Sequence, residues 1–255
     1  MTRILCYHSV DRDWRSALAV TPEAFAGQMA WLAGHREVVP LEGAIARMTP
    51  AGGLPRGVAS ITFDDGYAGM AEHAVPVLRR LRLPASLFVV TGSFDGSAGP
   101  ERWLDERDRP ETPVGVVGEE TVRSLAAEGW SIGSHSHTHR DLTELGEDEC
   151  ERDLRTSRDV LESILGGPAA VLAYPRGRHA AHVRRAARRA GFRYALSLPE
   201  EPAPAGDMAI PRVGIYRGDG VGALRLKLSR WYLPFRTSPA FPVARRVARA
   251  VRGGS

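Results

Sequence analysis

Short runs of Val, Ile, Leu and Phe alternate along this chain with segments whose apolar residues recur every three or four positions. The runs read as buried strands and the periodic segments as helices that pack one face. Strands are expected at Arg3–Tyr7, Glu37–Val39, Val58–Phe63, Ser86–Val90, Ser131–Ser134, Ala170–Ala173, Tyr194–Ser197 and Val213–Ile215. Thr21 and Pro22 supply an N-cap and a first-turn proline for a helix that carries Phe25, Met29 and Leu32 on one side. Further helices are expected near Leu41–Met48, Tyr67–Leu81, Glu119–Glu128, Asp148–Leu165 and Ala180–Ala190, the last stopped by Gly191. Alternating strand and helix predict a parallel sheet, and about seven to eight strands with six helices fit an α/β fold of the distorted (β/α) barrel kind.

Residues 91–118 break the alternation, being rich in Gly, Pro and charge, and are read as a long functional loop. The Pro-rich stretch Pro199–Pro204 is read as a surface loop, and no internal repeat is visible. With 255 residues, 43% hydrophobic and 25% charged, the chain is neither disordered nor fibrous. Two cysteines, Cys6 and Cys150, are too few for a disulfide framework or a four-cysteine zinc site. The apolar run Ile4–Tyr7 begins after three residues, so no secretory leader is expected and the chain is read as cytoplasmic. No stretch reaches the roughly 18 apolar residues of a membrane span.

Charge refines the domain picture. The formal net charge is +4, yet residues 220–255 hold eight basic side chains, Arg225, Lys227, Arg230, Arg236, Arg245, Arg246, Arg249 and Arg252, and no acid. The remaining body is net acidic, which argues against nucleic acid as a partner. Residues 1–220 are therefore read as the barrel and 221–255 as a basic C-terminal helix and tail. In the tail Leu224–Leu228, Trp231–Phe235 and Val243–Val251 interleave apolar and cationic residues, a composition that suits either a peripheral contact with anionic membrane on its inner face or a packed last helix with a solvated basic end. Nothing in the pattern indicates an oligomeric state.

Two local patterns carry chemistry. Ile61-Thr62-Phe63-Asp64-Asp65-Gly66 ends a buried strand on paired carboxylates before a glycine that permits a sharp turn. Successive residues leaving a strand point in different directions, so one Asp can bind a metal while its neighbour faces a reacting centre; alone, the pair would serve equally as a helix cap. Ser134-His135-Ser136-His137-Thr138-His139 places three histidines in five positions at another strand end, and His135 and His139 can converge from one turn. Two imidazoles and one carboxylate form a facial set that leaves room for water and substrate on a zinc-like ion, with the second carboxylate free to act as base.

Thr62-Phe63-Asp64-Asp65-Gly66 followed by His135–His139 resembles the first two motifs of the NodB-type polysaccharide deacetylases, carbohydrate esterase family four. Leu5-Cys6-Tyr7-His8-Ser9-Val10, Ala173-Tyr174-Pro175-Arg176-Gly177 and Ile210-Pro211-Arg212-Val213 resemble segments of the permuted branch that contains the poly-N-acetylglucosamine deacetylases, and extend the likeness over roughly residues 3–215. The resemblance implies a NodB-type barrel; a divalent ion, zinc foremost with cobalt, nickel or iron as alternatives, held by Asp65, His135 and His139; and Asp64 as general base. It implies that the peptide N–H of Arg176 helps hold an oxyanion and that Arg212 orients Asp64. The family's late Leu-x-His motif is missing, because Leu196-Ser197-Leu198 runs into Pro199; in the permuted branch the acid comes from the first strand, which here is His8. Tyr174 and Trp103 are candidates either for a sugar-binding wall or for the core.

The implied reaction is removal of an acyl group, acetyl foremost, from an N-acylated amino sugar in a glycan, lipid-linked sugar or glycosylated metabolite. Two other readings stand beside it: an amidase acting on a cyclic imide, and a glycan-binding member without catalysis. No Gly-x-Ser-x-Gly elbow suggests a covalent mechanism.

Overall fold

Every pairing in the main sheet of the computed structural model, which describes residues 3–49, 53–199 and 206–241, is parallel. In chain order the strands are β1 (Ile4–Tyr7), β2 (Ser9–Val10), β3 (Ala19–Val20), β4 (Glu37–Val38), β5 (Val58–Phe63), β6 (Ser86–Val89), β7 (Ser131–Ser134), β8 (Val171–Ala173), β9 (Tyr194–Ser197), β10 (Ile210–Pro211) and β11 (Val213–Gly214). The helices are α1 (Pro22–His35), α2 (Leu41–Ala46), α3 (Val75–Leu81), α4 (Pro100–Trp103), α5 (Glu119–Ala127), α6 (Glu147–Leu165), α7 (Ala181–Arg189), α8 (Val221–Lys227) and α9 (Tyr232–Arg236).

The sheet runs β10-β9-β8-β7-β6-β5-β1-β11, with β4 also paired to β5. Only Arg212 separates β10 from β11, so one extended segment pairs first with β9 and then with β1 and draws the two edges of the sheet together. The expected distorted (β/α) barrel is present.

Residue parity sorts the strands into an inner and an outer face, because side chains alternate. Leu5, Tyr7, Ile61, Phe63, Leu87 and Val89 face outward and pack with Phe25, Met29 and Leu32 of α1 and with Leu78 of α3. Ile4, Val58, Phe88, Ala173, Leu196 and Ile210 fill the interior, joined by Leu41 and Ala44 of α2. Gly133 makes this filling possible: a Cβ there would stand 2.3 Å from the Phe88 ring and 2.8 Å from the Val171 carbonyl oxygen. The inner register of β1 and β5 continues into His8 and Asp64, which is how two residues far apart in sequence come to share one end of the barrel.

The structure departs from expectation in two places. The Tyr67–Leu81 helix contains a widened π turn at Met70–Ala74 before α3. Pro76 has no N–H to offer the carbonyl one turn back, and the wider turn accommodates the lost bond. Residues 91–118 carry short 3₁₀ turns and α4, and bury Trp103 and Leu104 against Trp14 and Tyr67. Beyond the barrel, α8 packs Leu224 and Leu228 into the outer cluster. Most of the loop expected at Pro199–Pro204, and all of Val243–Val251, lie outside the described residues. Among the described residues no helix is long and apolar enough to cross a membrane.

Candidate active site

Strand ends place the chemistry. β5 delivers Asp64 on its inner register, and the chain then turns at Asp65, whose φ is +67°. β7 delivers His135, whose N–H donates to the Val89 carbonyl at 2.8 Å and extends the pairing with β6 by one residue. The loop that follows is held by α6: the Asp153 carboxylate accepts from the His137 N–H at 2.9 Å, the Thr138 N–H at 3.2 Å and the Thr138 hydroxyl. Ser136 accepts from the His139 N–H at 2.9 Å and closes the turn that swings His139 back beside His135. Among the described residues five non-glycine positions have positive φ, and four of them, Asp65, Ser136, His139 and Arg176, lie at this end of the barrel. Backbone strain is concentrated where it positions functional groups.

Asp65, His135 and His139 converge at this end of the barrel. Asp65 Oδ1 lies 3.2 Å from His135 Nε2 and 3.1 Å from His139 Nε2, and all three residues are buried. His135 Nδ1 is 2.8 Å from the Ala173 carbonyl oxygen, which can only accept, so Nδ1 carries a proton, and whenever the ring is neutral its Nε2 turns a lone pair toward Asp65. A carboxylate oxygen facing lone pairs at this distance needs a shared positive charge. Asp65 Oδ1 accordingly has no hydrogen-bond partner of adequate geometry within the protein. Donor set, burial and spacing all fit a divalent ion with N and O ligands. Burial alone would raise the Asp65 carboxyl, but positive charge on the two facing imidazoles, where they are protonated, outweighs it and holds it well below the usual range. Burial depresses His139, and its Asp65 partner does not recover the loss. In His135 the Asp64 and Asp65 charges overcome burial and raise the ring.

Asp64 does not join this set but stands beside it, its Oδ2 3.9 Å from His135 Nε2. Arg212 clamps it from the closing segment, with Nη1 donating to Oδ1 at 2.7 Å and Nη2 to Oδ2 at 2.6 Å, while Nη1 also reaches Thr62 Oγ1 at 3.1 Å. Burial would raise the Asp64 carboxyl; Arg212 and His135 outweigh it and keep it ionised. Cys6 adds a donor the sequence did not signal, its Sγ 3.3 Å from Asp64 Oδ2.

His8 lines the same cavity, of about 190 Å³, together with Asp65, His135, His139 and Arg176. Its Nδ1 is buried without a hydrogen-bond partner, and its ring stacks on Tyr216 with centroids 6.4 Å apart. Burial lowers its pKa, opposed by the Asp65 and Asp64 charges. Leu198, third residue of Leu196-Ser197-Leu198, contributes an apolar wall that has no proton to give. Arg176 sits in a tight turn after Pro175 at φ +58°, its guanidinium turned outward to Asp105 at 3.0 Å and to the Trp103 carbonyl at 3.2 Å. Trp103 forms a wall, its ring 5.2 Å from that of His139 and its Nε1 donating to the Tyr67 hydroxyl at 3.0 Å. Tyr174 is core: fully buried, it donates to the Met208 carbonyl at 3.0 Å. A larger cleft of about 670 Å³ lies alongside, sharing Tyr67 and Asp108, but holds none of the clustered Asp and His groups.

Comparison with known proteins bears on the fold and the family. Among curated sequences, YxkH of Bacillus subtilis (strain 168), named for the polysaccharide deacetylases, is 27% identical over 221 residues, 84% of this chain and 71% of its own. Poly-beta-1,6-N-acetyl-D-glucosamine N-deacetylase of Staphylococcus aureus (strain MRSA252) is 23% identical over 206 residues, 76% of this chain and 67% of its own. Among solved structures, the Streptococcus pyogenes deacetylase PplD in complex with acetate superposes with a TM-score of 0.74 at 21% identity, covering 89% of this chain and 98% of its own. IcaB from Ammonifex degensii does so with a TM-score of 0.69 at 23% identity, covering 89% and 96%. These two likenesses establish the fold. The sequence profile of the polysaccharide deacetylases matches residues 51–195, more than half of the sequence and inclusive of both the Asp64-Asp65 and the histidine motifs, and on that ground the chain belongs to the polysaccharide deacetylase family.

Proposed function

We propose that the protein is a metal-dependent hydrolase that removes an N-acetyl group from an amino sugar carried on a glycan, a lipid-linked sugar or a glycosylated metabolite. The observation that carries this reading is the buried Asp65 oxygen facing two imidazole Nε2 atoms within 3.2 Å, with the His135 ring oriented from its other nitrogen by the Ala173 carbonyl. A divalent ion held by Asp65, His135 and His139, zinc foremost, would supply Lewis acidity that polarises the amide carbonyl and acidifies water.

The chain's own groups divide the remaining work. Asp64, kept ionised by Arg212, accepts the proton of the attacking water. The Arg176 N–H, aimed by the turn after Pro175, donates to the oxygen that becomes negative as the carbonyl carbon turns tetrahedral. His8 delivers a proton to the departing sugar nitrogen as the C–N bond breaks, and acetate and a free amine leave. Negative charge building on the substrate beside its ring counteracts the burial that depresses it. Trp103 offers an aromatic wall to the apolar face of a pyranose.

Incubating zinc-loaded protein with N-acetylglucosamine oligosaccharides should release acetate and leave products lacking an acetyl group by mass spectrometry, while cyclic imides remain intact. Hydrolysis of imides without any loss of acetyl from sugars would transfer the assignment to a non-sugar amidase, and no turnover of either would favour glycan binding alone. His8→Ala should lower kcat by about a hundredfold at unchanged metal content. Equal turnover in that variant would remove His8 from the proton path.

A further inference from the structure

Three large apolar side chains are well exposed among the described residues, Leu226 at 64%, Trp231 at 66% and Phe235 at 45%, and all lie between positions 226 and 235. Apolar surface gathered in one short segment marks a contact face, whereas scattered exposure does not. Cations surround it. Arg225 precedes Leu226 in α8, and the Arg230 guanidinium lies over the Trp231 ring at 4.4 Å. The face continues onto the end of α1, where Trp31 and Arg36 share a shallow cleft with Arg225 and Leu226. Arg3 Nε donates to the Leu228 carbonyl at 3.2 Å beside it, and burial together with the nearby Arg36 and Arg56 charges lowers the Arg3 pKa. No Asp or Glu follows Asp219 in the sequence. Among the described residues neither Arg225 nor Arg230 pairs with a carboxylate.

We propose that this face, formed by Trp31, Arg36, Arg225, Leu226, Trp231 and Phe235, docks the protein on an anionic lipid bilayer. Charge complementarity chooses the occupant. A second copy meeting the same face across a two-fold axis would set arginine against arginine, whereas acidic headgroups supply the missing negative charge and the interfacial zone accepts Trp and Leu beside Arg. The face also leaves the site free: Leu228 lies against Arg3, before the start of β1, while Asp64 and His8 stand at the other end of the strands. Docking here therefore leaves the catalytic cavity open to a substrate arriving from water, and the inference does not depend on the reaction assigned to that cavity.

The full-length protein is sedimented with vesicles of phosphatidylcholine alone and of phosphatidylcholine with phosphatidylglycerol, at low and at physiological salt. Binding is expected to the anionic vesicles only, to weaken with salt, and to fall by roughly tenfold or more in the Leu226→Ala/Trp231→Ala variant and in the Arg225→Glu/Arg230→Glu variant. Both variants should retain the thermal transition of the parent, which separates lost docking from lost folding; the charge variant alters only exposed side chains and stands as the test should the apolar one misfold. Failure of the parent to bind anionic vesicles, or equal binding by parent and folded variants, overturns the proposal. So does a dimer in sedimentation velocity that dissociates in both variants, since the face would then be covered by a second copy.

Discussion

Asp64→Asn is expected to lower turnover by roughly 10² to 10⁴-fold, the range over which a positioned general base contributes. The substitution keeps the side chain's shape and leaves Asp65, His135 and His139 untouched, so metal content should stay at the parent level. What changes is the ability to take a proton. The amide also turns one of the two Arg212 contacts into a donor facing a donor, because Arg212 donates to both carboxylate oxygens in the parent. A modest fall in thermal stability should therefore accompany the loss of activity, without loss of the fold. Asp65→Asn makes the useful contrast: it removes the charge shared by the two imidazoles, so metal content and turnover should fall together. Turnover of the Asp64→Asn protein within tenfold of the parent, at equal metal content, would show that the base is another group.

The local pattern separates the two aspartates, while their division into ligand and base rests on the family resemblance. Strand alternation puts Asp64 on the inner register of β5, and this much can be read from Val58–Phe63. The direction of Asp65 depends on a left-handed backbone at a non-glycine residue, and nothing local announces it. The histidine motif was legible as a cluster, yet what aims it is Asp153 on α6, one acidic residue among many on a charged helix, recognised only once the helix is docked. Cys6 is similar: a small apolar-looking residue in a buried strand becomes a donor to Asp64 because β1 and β5 are neighbours. Tyr174 shows the opposite limit. Its aromatic ring suits a sugar wall or the core equally, and in β8 the odd residues 171 and 173 face inward, so Tyr174 is directed outward into the cluster beneath α6 and α7. The loop at 91–118 shows little periodicity because its order comes from burying Trp103 and Leu104 against distant partners, which leaves no periodic mark.

Arg212→Met should be the most destabilising of these substitutions, by about 3–5 kcal/mol, because it leaves the Asp64 carboxylate buried without its counter-charge. Arg212 and Asp64 are 1% and 2% exposed and 148 residues apart in sequence, so the clamp also ties the closing segment to β5. The pH dependence gives the sign that distinguishes this cause from a simple packing loss. In the parent the folded carboxyl lies below its ordinary value, so its contribution to stability is present above the unfolded pKa and is lost as pH falls through the folded one. In the variant burial acts unopposed by Arg212, the carboxyl rises, and the same group loses stability as pH climbs through the range where the unfolded chain ionises. Urea unfolding between about pH 4 and pH 7 should therefore show the stability gap widening with pH; a gap that is constant with pH would reduce Arg212 to a space-filling role. Replacing both partners, as Asp64→Leu with Arg212→Met, should recover part of the lost stability and none of the turnover, since paired apolar groups can match a buried ion pair energetically. That outcome would mean the pair is retained for the proton it allows Asp64 to take, at some cost to the stability of the barrel that holds it.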